Sequence, residues 1–377
     1  RGRLILTLSL LAAAGAMFMT SLNVKTSWEY YTSNASSNRH YDLEIRLNRP
    51  EPEKKMLDMI CNVPGVKKAE TWNMIPAAVS RPDGLDIETT YPDGGHGSFT
   101  MRSVPPGSKM FQSPLLEGRW LQPGDTSQVV LNHMALAFFP NTKVGDTIKL
   151  NMDGHISTLR LVGITREILT PATAYVPPEA FSDATGLTGQ SNTLRVAMNE
   201  HDMNTINAVT KEIDSILEKE GISIKMAISE SMLDGALNGH IYIFIFSLIL
   251  MAIIMAVVGA LGLMSTMGTN VTERTREFGV MRTIGGKSGT IIRNVMFEGV
   301  FIGAMSWVIG IVLSLPLSIG IDNVVGNLSF RSPLPIILSP QSIMLWLGVI
   351  VCGALAASAY PAWKASKLTV RETLSYI

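Results

Sequence analysis

The sequence predicts a membrane α-helical protein with four transmembrane helices in a 1+3 arrangement. An α+β extracytoplasmic domain is expected between the first helix and the second. Three observations predict this. Four apolar stretches, at about 4–22, 241–267, 291–321 and 342–360, are each long enough to cross ~30 Å of hydrocarbon as a helix. A polar region of roughly 215 residues separates the first from the second, enough for a domain of its own. Two β-α-β patterns lie near the ends of that region. Composition agrees: the chain is 46% hydrophobic and 16% charged, against ~25% charged in ordinary soluble domains. Its 31 basic and 31 acidic side chains cancel, so no nucleic-acid partner is indicated.

The domain boundaries follow: 1–24 for the first span, 25–240 for the extracytoplasmic domain, and 241–377 for the remaining spans and their connections. Residues 4–22 carry no charge, and Arg1 and Arg3 give them a basic start. A secretory signal has the same layout, but its apolar core is shorter, and Asn23-Val24-Lys25 is a poor cleavage site. A retained span is therefore expected. Ala12, Ala13, Ala14, Gly15 and Ala16 give it small side chains where another helix can approach closely.

In the polar region, 41–47 alternates like a strand, and 51–61 has helical spacing through Met56, Met59 and Ile60. Val63-Pro64-Gly65-Val66 turns the chain into a second strand at 68–74. The pattern recurs as a strand at 192–198, a helix at 203–221 with Ile206, Val209, Ile213 and Ile216 on one face, and a strand at 222–226. The two units predict a split ferredoxin-like subdomain. The insertion, about 76–178, is rich in turn signals such as Pro82-Asp83-Gly84 and Pro105-Pro106-Gly107. Short strands at 129–132, 147–150, 157–164 and 174–176 predict a small inserted β-barrel or sandwich.

Beyond it, 229–240 looks helical and leads into the second span as a stalk, although Gly235 and Gly239 weaken a helix there. Glu298 enters the third span, Pro316 lies near its far end, and Pro361 follows the fourth. Lys and Arg cluster before the first span, between the second and third, and after the fourth. The loop at about 322–341 has only Arg331. The positive-inside rule then places both termini and the 270–286 stretch in the cytoplasm, with the large domain outside.

The stretch 270–286 is amphipathic. Val271, Thr275, Phe278 and Met281 share a helix face, and Glu273, Arg274, Arg276 and Glu277 fill the rest. Asn270 can cap the start, with Glu273 reaching back to it, and Gly285-Gly286 suits the stop. Two readings stay open on pattern alone: a helix that receives another protein, or a solvated charged loop whose arginines set topology. Glu298 also has two readings, an intramembrane pairing or relay site and an acid near the interface that snorkels or pairs with Arg293. Its shallow depth favours the second. Catalytic signals are weak. Gly286-Lys287-Ser288 resembles the end of a phosphate loop, but Met281 stands where that pattern needs glycine. The histidines show no metal-binding spacing. Cys61 lies in the polar region and Cys352 in an apolar span, so no disulfide is expected between them.

Four segments carry a resemblance: the first span RGRLILTLSLLAAAGAMFMTSLNV at 1–24, VTERTREFGVMRTIGGKSGTIIRNVMFEGVFIGAMSWVIGIVLS at 271–314, the tail AYPAWKASKLTVRETLSYI at 359–377, and LEGRWLQPGDTSQVVLNHMALAFFPNTKVGDTIKL at 116–150. Together they resemble the FtsX-like and MacB-like permeases of ABC transporters, the last segment looking like a MacB-type periplasmic core domain. The resemblance implies a multi-pass protein of the bacterial inner membrane that does not hydrolyse ATP. It holds no cofactor; ATP is bound by a partner pair of ABC ATPases on the cytoplasmic side. It implies that Glu273, Arg274, Arg276, Glu277 and Gly279 sit on a coupling helix received by those ATPases, and that the stalk carries their motion outward. The implied role is export or extraction of a drug, peptide or lipoprotein-like substrate. The alternative is an FtsX-type transmitter that controls a wall hydrolase. A third reading is a membrane-anchored sensor without an ATPase. The implied partners are membrane lipid and a second permease half, either another copy or a fused N-terminal repeat. Family members usually carry a cytoplasmic amphipathic segment before the first span, whereas only Arg1-Gly2-Arg3 stands there. The expectation is therefore the second half of a tandem permease.

Overall fold

The computed structural model describes residues 2–79, 99–152, 155–167 and 170–367. The turn signals at Pro82-Asp83-Gly84 and Pro92-Asp93-Gly94-Gly95, and the tail beyond Lys367, lie outside the described residues. The chain divides into two compact units, Arg1–Tyr30 with Gly239–Ile377, and Tyr31–Asn238.

Helix α1 spans Gly2–Ser36, well past the expected end of the first span. Apolarity fades after Leu22, but the backbone ladder does not need it. Lys25 and Glu29 pair across one turn at 3.5 Å, and Trp28 is buried against the Phe330 ring.

The second unit begins with β1 (Leu43–Pro52), α2 (Glu53–Ile60) and β2 (Val66–Pro76). It closes with β10 (Gln190–Met198), α4 (Met203–Lys219) and β11 (Ile224–Ser229). These four strands lie in the order β11-β1-β10-β2, each antiparallel to its neighbour. That is the ferredoxin-like order expected for two β-α-β units. Met56 and Ile60 of α2, and Ile206, Val209, Ile213 and Leu217 of α4, cover one face of the sheet. The side chain of Asp202 caps α4 by accepting from the Asn204 and Thr205 amides.

The insertion comprises β3 (Ala78–Val79), β4 (Phe99–Ser103), β5 (Leu115–Gly118), β6 (Gln128–Asn132), β7 (Thr147–Met152), β8 (His155–Thr165), β9 (Ala172–Val176) and α3 (Pro178–Thr185). Strand pairing runs β2-β4-β9-β6-β8-β7-β3, with β5 on β8. Only Ala77 separates β2 from β3, so this path returns to the strand from which it started. The insertion is therefore a closed barrel rather than a sandwich, and β2 belongs to both subdomains. Met101, Val129, Leu131, Leu150, Leu161 and Ala174 fill its interior.

Among the described residues, four helices are long and apolar enough to cross a membrane: Leu4–Ala35, Asn238–Glu273, Ser288–Phe330 and Pro340–Ser366. They lie in α1, α5 (Glu230–Glu273), α7 (Ser288–Phe330) and α8 (Pro340–Ser366), with the short α6 (Thr275–Thr283) between α5 and α7. The expected 1+3 arrangement holds, but three details differ. First, Gly235 and Gly239 do not interrupt α5: Ser229 Oγ accepts the Met232 amide at its start, and the long apolar run propagates the helix at little cost per residue. Second, α7 continues through much of the expected 322–341 loop to Phe330, where Arg331 takes a left-handed conformation and its amide bonds to Asn327. Third, Pro361 does not end the fourth span. It is buried inside α8, which runs on to Ser366. A proline removes one backbone donor and crowds the preceding turn, but packing can hold a helix through it.

Small residues set the helix spacing in this unit, as expected for α1. Ala12, Ala14 and Ala16 are buried. A Cβ on Gly15 would lie 2.3 Å from the Trp346 indole nitrogen, and one on Gly310 would lie 3.2 Å from the Ala12 carbonyl oxygen.

Candidate functional site

The expected helix at 270–286 is not one helix. α5 carries on through Asn270 and ends at Glu273; Arg274 leaves helical geometry at φ −99° and ψ 18°; α6 then starts at Thr275. Asn270 therefore caps nothing. It lies inside α5, which simply extends beyond its apolar run, and its amide donates to Glu298 Oε1 at 3.0 Å. No side chain caps α6 at Arg274. The expected stop is present in full. Gly285 has φ +92°, its amide donates to the Arg282 carbonyl, and the Gly286 amide donates to the Met281 carbonyl at 2.8 Å. These are the two bonds of a Schellman stop.

The apolar face packs as its spacing predicts. Val271 and Phe278 are buried with Ile291 and Val295 of α7 and with Ala362 and Ala365 of α8; Met281 packs against them. Two polar ties secure the ends. Arg274 Nη1 donates to Glu298 Oε2 at 3.3 Å, and Nε donates to Glu277 at 2.7 Å. At the far end Arg282 Nη2 donates to the Ser366 carbonyl of α8 and to Ser288 Oγ at 3.0 Å.

Of the predicted site residues, Arg274, Glu277 and Glu298 come together. Glu273 ends α5 exposed, Arg276 and Glu277 are exposed on α6, and Gly279 is buried in it. Glu298 does not pair with Arg293, the partner its interfacial reading named beside snorkelling. Its partners are Asn270 and Arg274, because the break at Arg274 brings that guanidinium back to α7. Arg274 is held above its ordinary pKa by the hydrogen bond to Glu277 and by the charges of Glu277 and Glu298, against a desolvation that lowers it. The face left to solvent is a mixed-charge surface with acids and a guanidinium. Such a surface suits a protein partner; nothing in it is arranged as a nucleophile or a metal site. Among the described residues, no group of three or more His, Cys, Asp or Glu is placed to hold a metal.

Two clusters escaped the sequence reading. In the four-helix unit, Thr20, Asn23 and Ser27 on α1 face Ser314, Ser318 and Asp322 on α7. Asn23 donates to Ser318 at 3.1 Å and accepts from the Ser339 amide at 3.0 Å, and Ser27 donates to Asp322 Oδ2 at 3.2 Å. Asp322 is buried, and its other oxygen has no hydrogen-bond partner among the described residues. The signal was present: polar residues recur at 314, 318 and 322, one turn apart, inside an apolar helix.

In the second unit, Glu44 of β1 is buried where the ferredoxin-like sheet meets the barrel. Arg195 donates to it at 3.0 and 3.1 Å, Arg102 at 3.3 Å and Arg46 at 2.9 Å. Burial pushes its carboxyl up, but Arg102, Arg195 and Arg46 together hold it well below the usual carboxylate range. The Arg195 guanidinium lies 3.8 Å over Trp72 and 4.4 Å over Tyr41. Tyr175, stacked on Phe111, donates to Glu167, and its phenol is pushed well above its ordinary range by burial and by Glu167. No motif announces this cluster, since its members come from five separate stretches of chain.

Residues 223–370 match the family model described as FtsX-like permease C-terminal. An uncharacterized ABC transporter permease of Methanocaldococcus jannaschii is 26% identical over 270 residues, covering 68% of this chain and 64% of that protein. ABC transporter permease YtrF of Bacillus subtilis is 28% identical over 178 residues, covering 44% and 39%. The macrolide export ATP-binding/permease protein MacB of Bdellovibrio bacteriovorus is 32% identical over 119 residues, 32% of this chain and 17% of that protein. The chain thus spans under two thirds of the length of these relatives. The periplasmic region of MacB from Actinobacillus actinomycetemcomitans superposes on 53% of this chain at 11% identity and TM-score 0.35, covering 94% of that domain. The extracellular domain of the noncanonic ABC-type transporter YknZ from Gram-positive bacteria superposes on 50% of it at 16% identity and TM-score 0.34, covering 98% of that domain. The expected kinship stands: the chain is FtsX-like in its C-terminal part and related in sequence to ABC transporter permeases.

Proposed function

We propose that this chain is the permease component of an ABC-type export or extraction system, and that α6 is where a partner ATPase engages it. The observation that carries the reading is the mounting of α6. Its apolar face is buried on α7 and α8, and Glu273, Arg276 and Glu277 remain exposed beside it. A helix anchored on one side and charged on the other presents a partner with a fixed surface. The kinship with ABC transporter permeases supports the identity of that partner.

In this reading ATP is bound and hydrolysed by the partner alone. Closure of the ATPases displaces α6, and its ties to α7 and α8 move those helices with it. α5 follows β11 with no intervening residue, so movement of α5 acts directly on the edge strand of the outer sheet. The distribution of Lys and Arg supports both termini and α6 lying in the cytoplasm, with Tyr31–Asn238 outside. A second permease half, another copy or a fused repeat, completes the pseudo-symmetric assembly.

The test is affinity purification of the full-length protein from its native membrane in mild detergent, beside the double variant Glu273→Arg with Glu277→Arg. An ATPase that accompanies the wild type and is lost from the variant supports the reading. Equal recovery with both, or an ATPase with neither, removes α6 as the docking element.

A further inference from the structure

The charged face of α6 explains how a partner is met, but not how a 9-residue helix resists being bent by it. The break at Arg274 is a natural pivot, because one residue there leaves helical geometry and no side chain caps the helix that follows. Glu298 closes that pivot. Its two carboxylate oxygens are divided across the break: Oε1 accepts from Asn270, in the last turn of α5, and Oε2 accepts from Arg274 at the break itself. Arg274 in turn holds Glu277 in the first turn of α6, and its guanidinium lies 5.8 Å from the Phe278 ring. One side chain of α7 thus ties the end of α5, the pivot and the start of α6. The other end of α6 is tied separately, through Arg282 to the Ser366 carbonyl of α8.

We propose that Glu298 is a positioning residue that fixes the angle of α6 against α7, so that a load on α6 is delivered to α7 instead of being absorbed at Arg274. This rests on the reading of α6 as the ATPase-docking element. Glu298 is about one-third exposed on its side chain, at 34%, as is suitable for a role in geometry rather than bulk stability. The carboxylate is needed because it accepts from two donors in different directions, which no apolar residue can do.

The test has two arms. In the first, Cys61 and Cys352 are replaced by Ser and spin labels are placed at Val280 and Val312, both exposed. The interlabel distance distribution is measured in the full-length protein in nanodiscs. Glu298→Leu is expected to broaden or shift it with little change in Tm, and Glu298→Gln, which keeps an acceptor, to give an intermediate distribution. If Glu298→Leu does not insert and fold, Arg274→Gln tests the same tie from its exposed side. A distribution unchanged by Glu298→Leu or Arg274→Gln overturns the proposal. In the second arm, Glu298→Leu is purified with its co-isolated ATPase. Recovery of the ATPase should match wild type, and permease-stimulated hydrolysis should fall about two- to thirty-fold, the range seen along coupling networks. Unchanged stimulation overturns the proposal. If no ATPase accompanies even the wild type, the docking reading fails, and the distance arm still decides whether Glu298 holds the angle.

Discussion

At the scale of single residues, the informative positions are buried charges and tight backbone. Glu44 pairs with three guanidinium groups, so Glu44→Gln leaves Arg102 and Arg195 buried beside a neutral amide. Removing one partner of a buried ion pair costs about 3–5 kcal/mol. Urea denaturation of the full-length protein, followed by near-UV circular dichroism, should show that loss; an unshifted midpoint would mean that the arginines are compensated elsewhere. The pH dependence follows from the same cluster. Burial raises the Glu44 pKa, but Arg102, Arg195 and Arg46 outweigh it and the folded value is depressed. The native state therefore holds its proton less tightly than the unfolded chain. The stability it contributes is fully present above the unfolded value of about 4.3 and is lost as pH falls towards the folded one. Glu44→Gln should flatten this acid limb. Gly118 makes a second case. It sits at φ +74°, and a Cβ there would approach the Val162 carbonyl oxygen to 2.2 Å. Beside it Arg119 clasps Asp125 through bonds of 2.7 and 2.9 Å. The motif LEGRWLQPGD was legible as a family mark, but its physical reason, a left-handed glycine under a backbone crossing and an ion-paired turn, is visible only once β5 meets β8. Gly118→Ala should cost more than the ~1–2 kcal/mol of left-handed strain alone, read as a fall in Tm.

At the scale of elements, periodicity gave existence and type, and tertiary contacts set the ends. The ferredoxin-like strands and helices were readable because each alternates or repeats against one sheet face. Strand β4 was not readable as a strand, since all five of its residues are buried and alternation disappears. The break at Arg274 was equally hidden. The sequence offers Asn270 as a cap, yet the backbone ladder runs through it, the Arg274 amide donating to the Asn270 carbonyl, and its side-chain amide donates instead to Glu298 on the next long helix. The polar ladder of α1 and α7 teaches the same point: 20, 23, 27 and 314, 318, 322 are each periodic, but only packing shows that they meet. Here Asp322 accepts one hydrogen bond, from Ser27, and no cationic side chain pairs with it among the described residues. Asp322→Asn keeps an acceptor for Ser27 and removes a buried charge, so Tm in detergent should hold or rise, whereas Asp322→Leu leaves the Ser27 O–H without its acceptor and should lower Tm, for a stability loss on the order of 1 kcal/mol. A clear drop for Asp322→Asn would show that the charge itself is needed. Close helix packing gives a sharper loss: Gly15→Leu must displace the Trp346 ring and should separate α1 from α8, which disulfide trapping between cysteines placed on the two helices would register.

At the scale of the whole molecule, the design joins two independently packed units through continuous chain. The Tyr31–Asn238 unit has its own cores in the sheet and the barrel, and the four-helix unit has another. Sharing β2 makes the barrel and the ferredoxin-like sheet mechanically one piece, because neither can move without the strand common to both. α5 is 44 residues long, about 66 Å at 1.5 Å per residue, and it has no break from Glu230 to Glu273. A rod of that kind transmits displacement only while it stays helical. Three glycines inserted between Asn238 and Gly239 leave the α6 mounting and the apolar span untouched, but they put flexible chain in the rod's path. On the proposed reading of α6, the inserted variant should still recover the partner ATPase and should still stimulate its hydrolysis. Amide exchange in β1 and β11 should then lose its difference between the nucleotide-free state and one trapped with a non-hydrolysable ATP analogue, a difference expected in the wild type. If that difference survives the insertion, transmission does not run through α5, and α1, which precedes β1 in the chain, becomes the candidate that carries it.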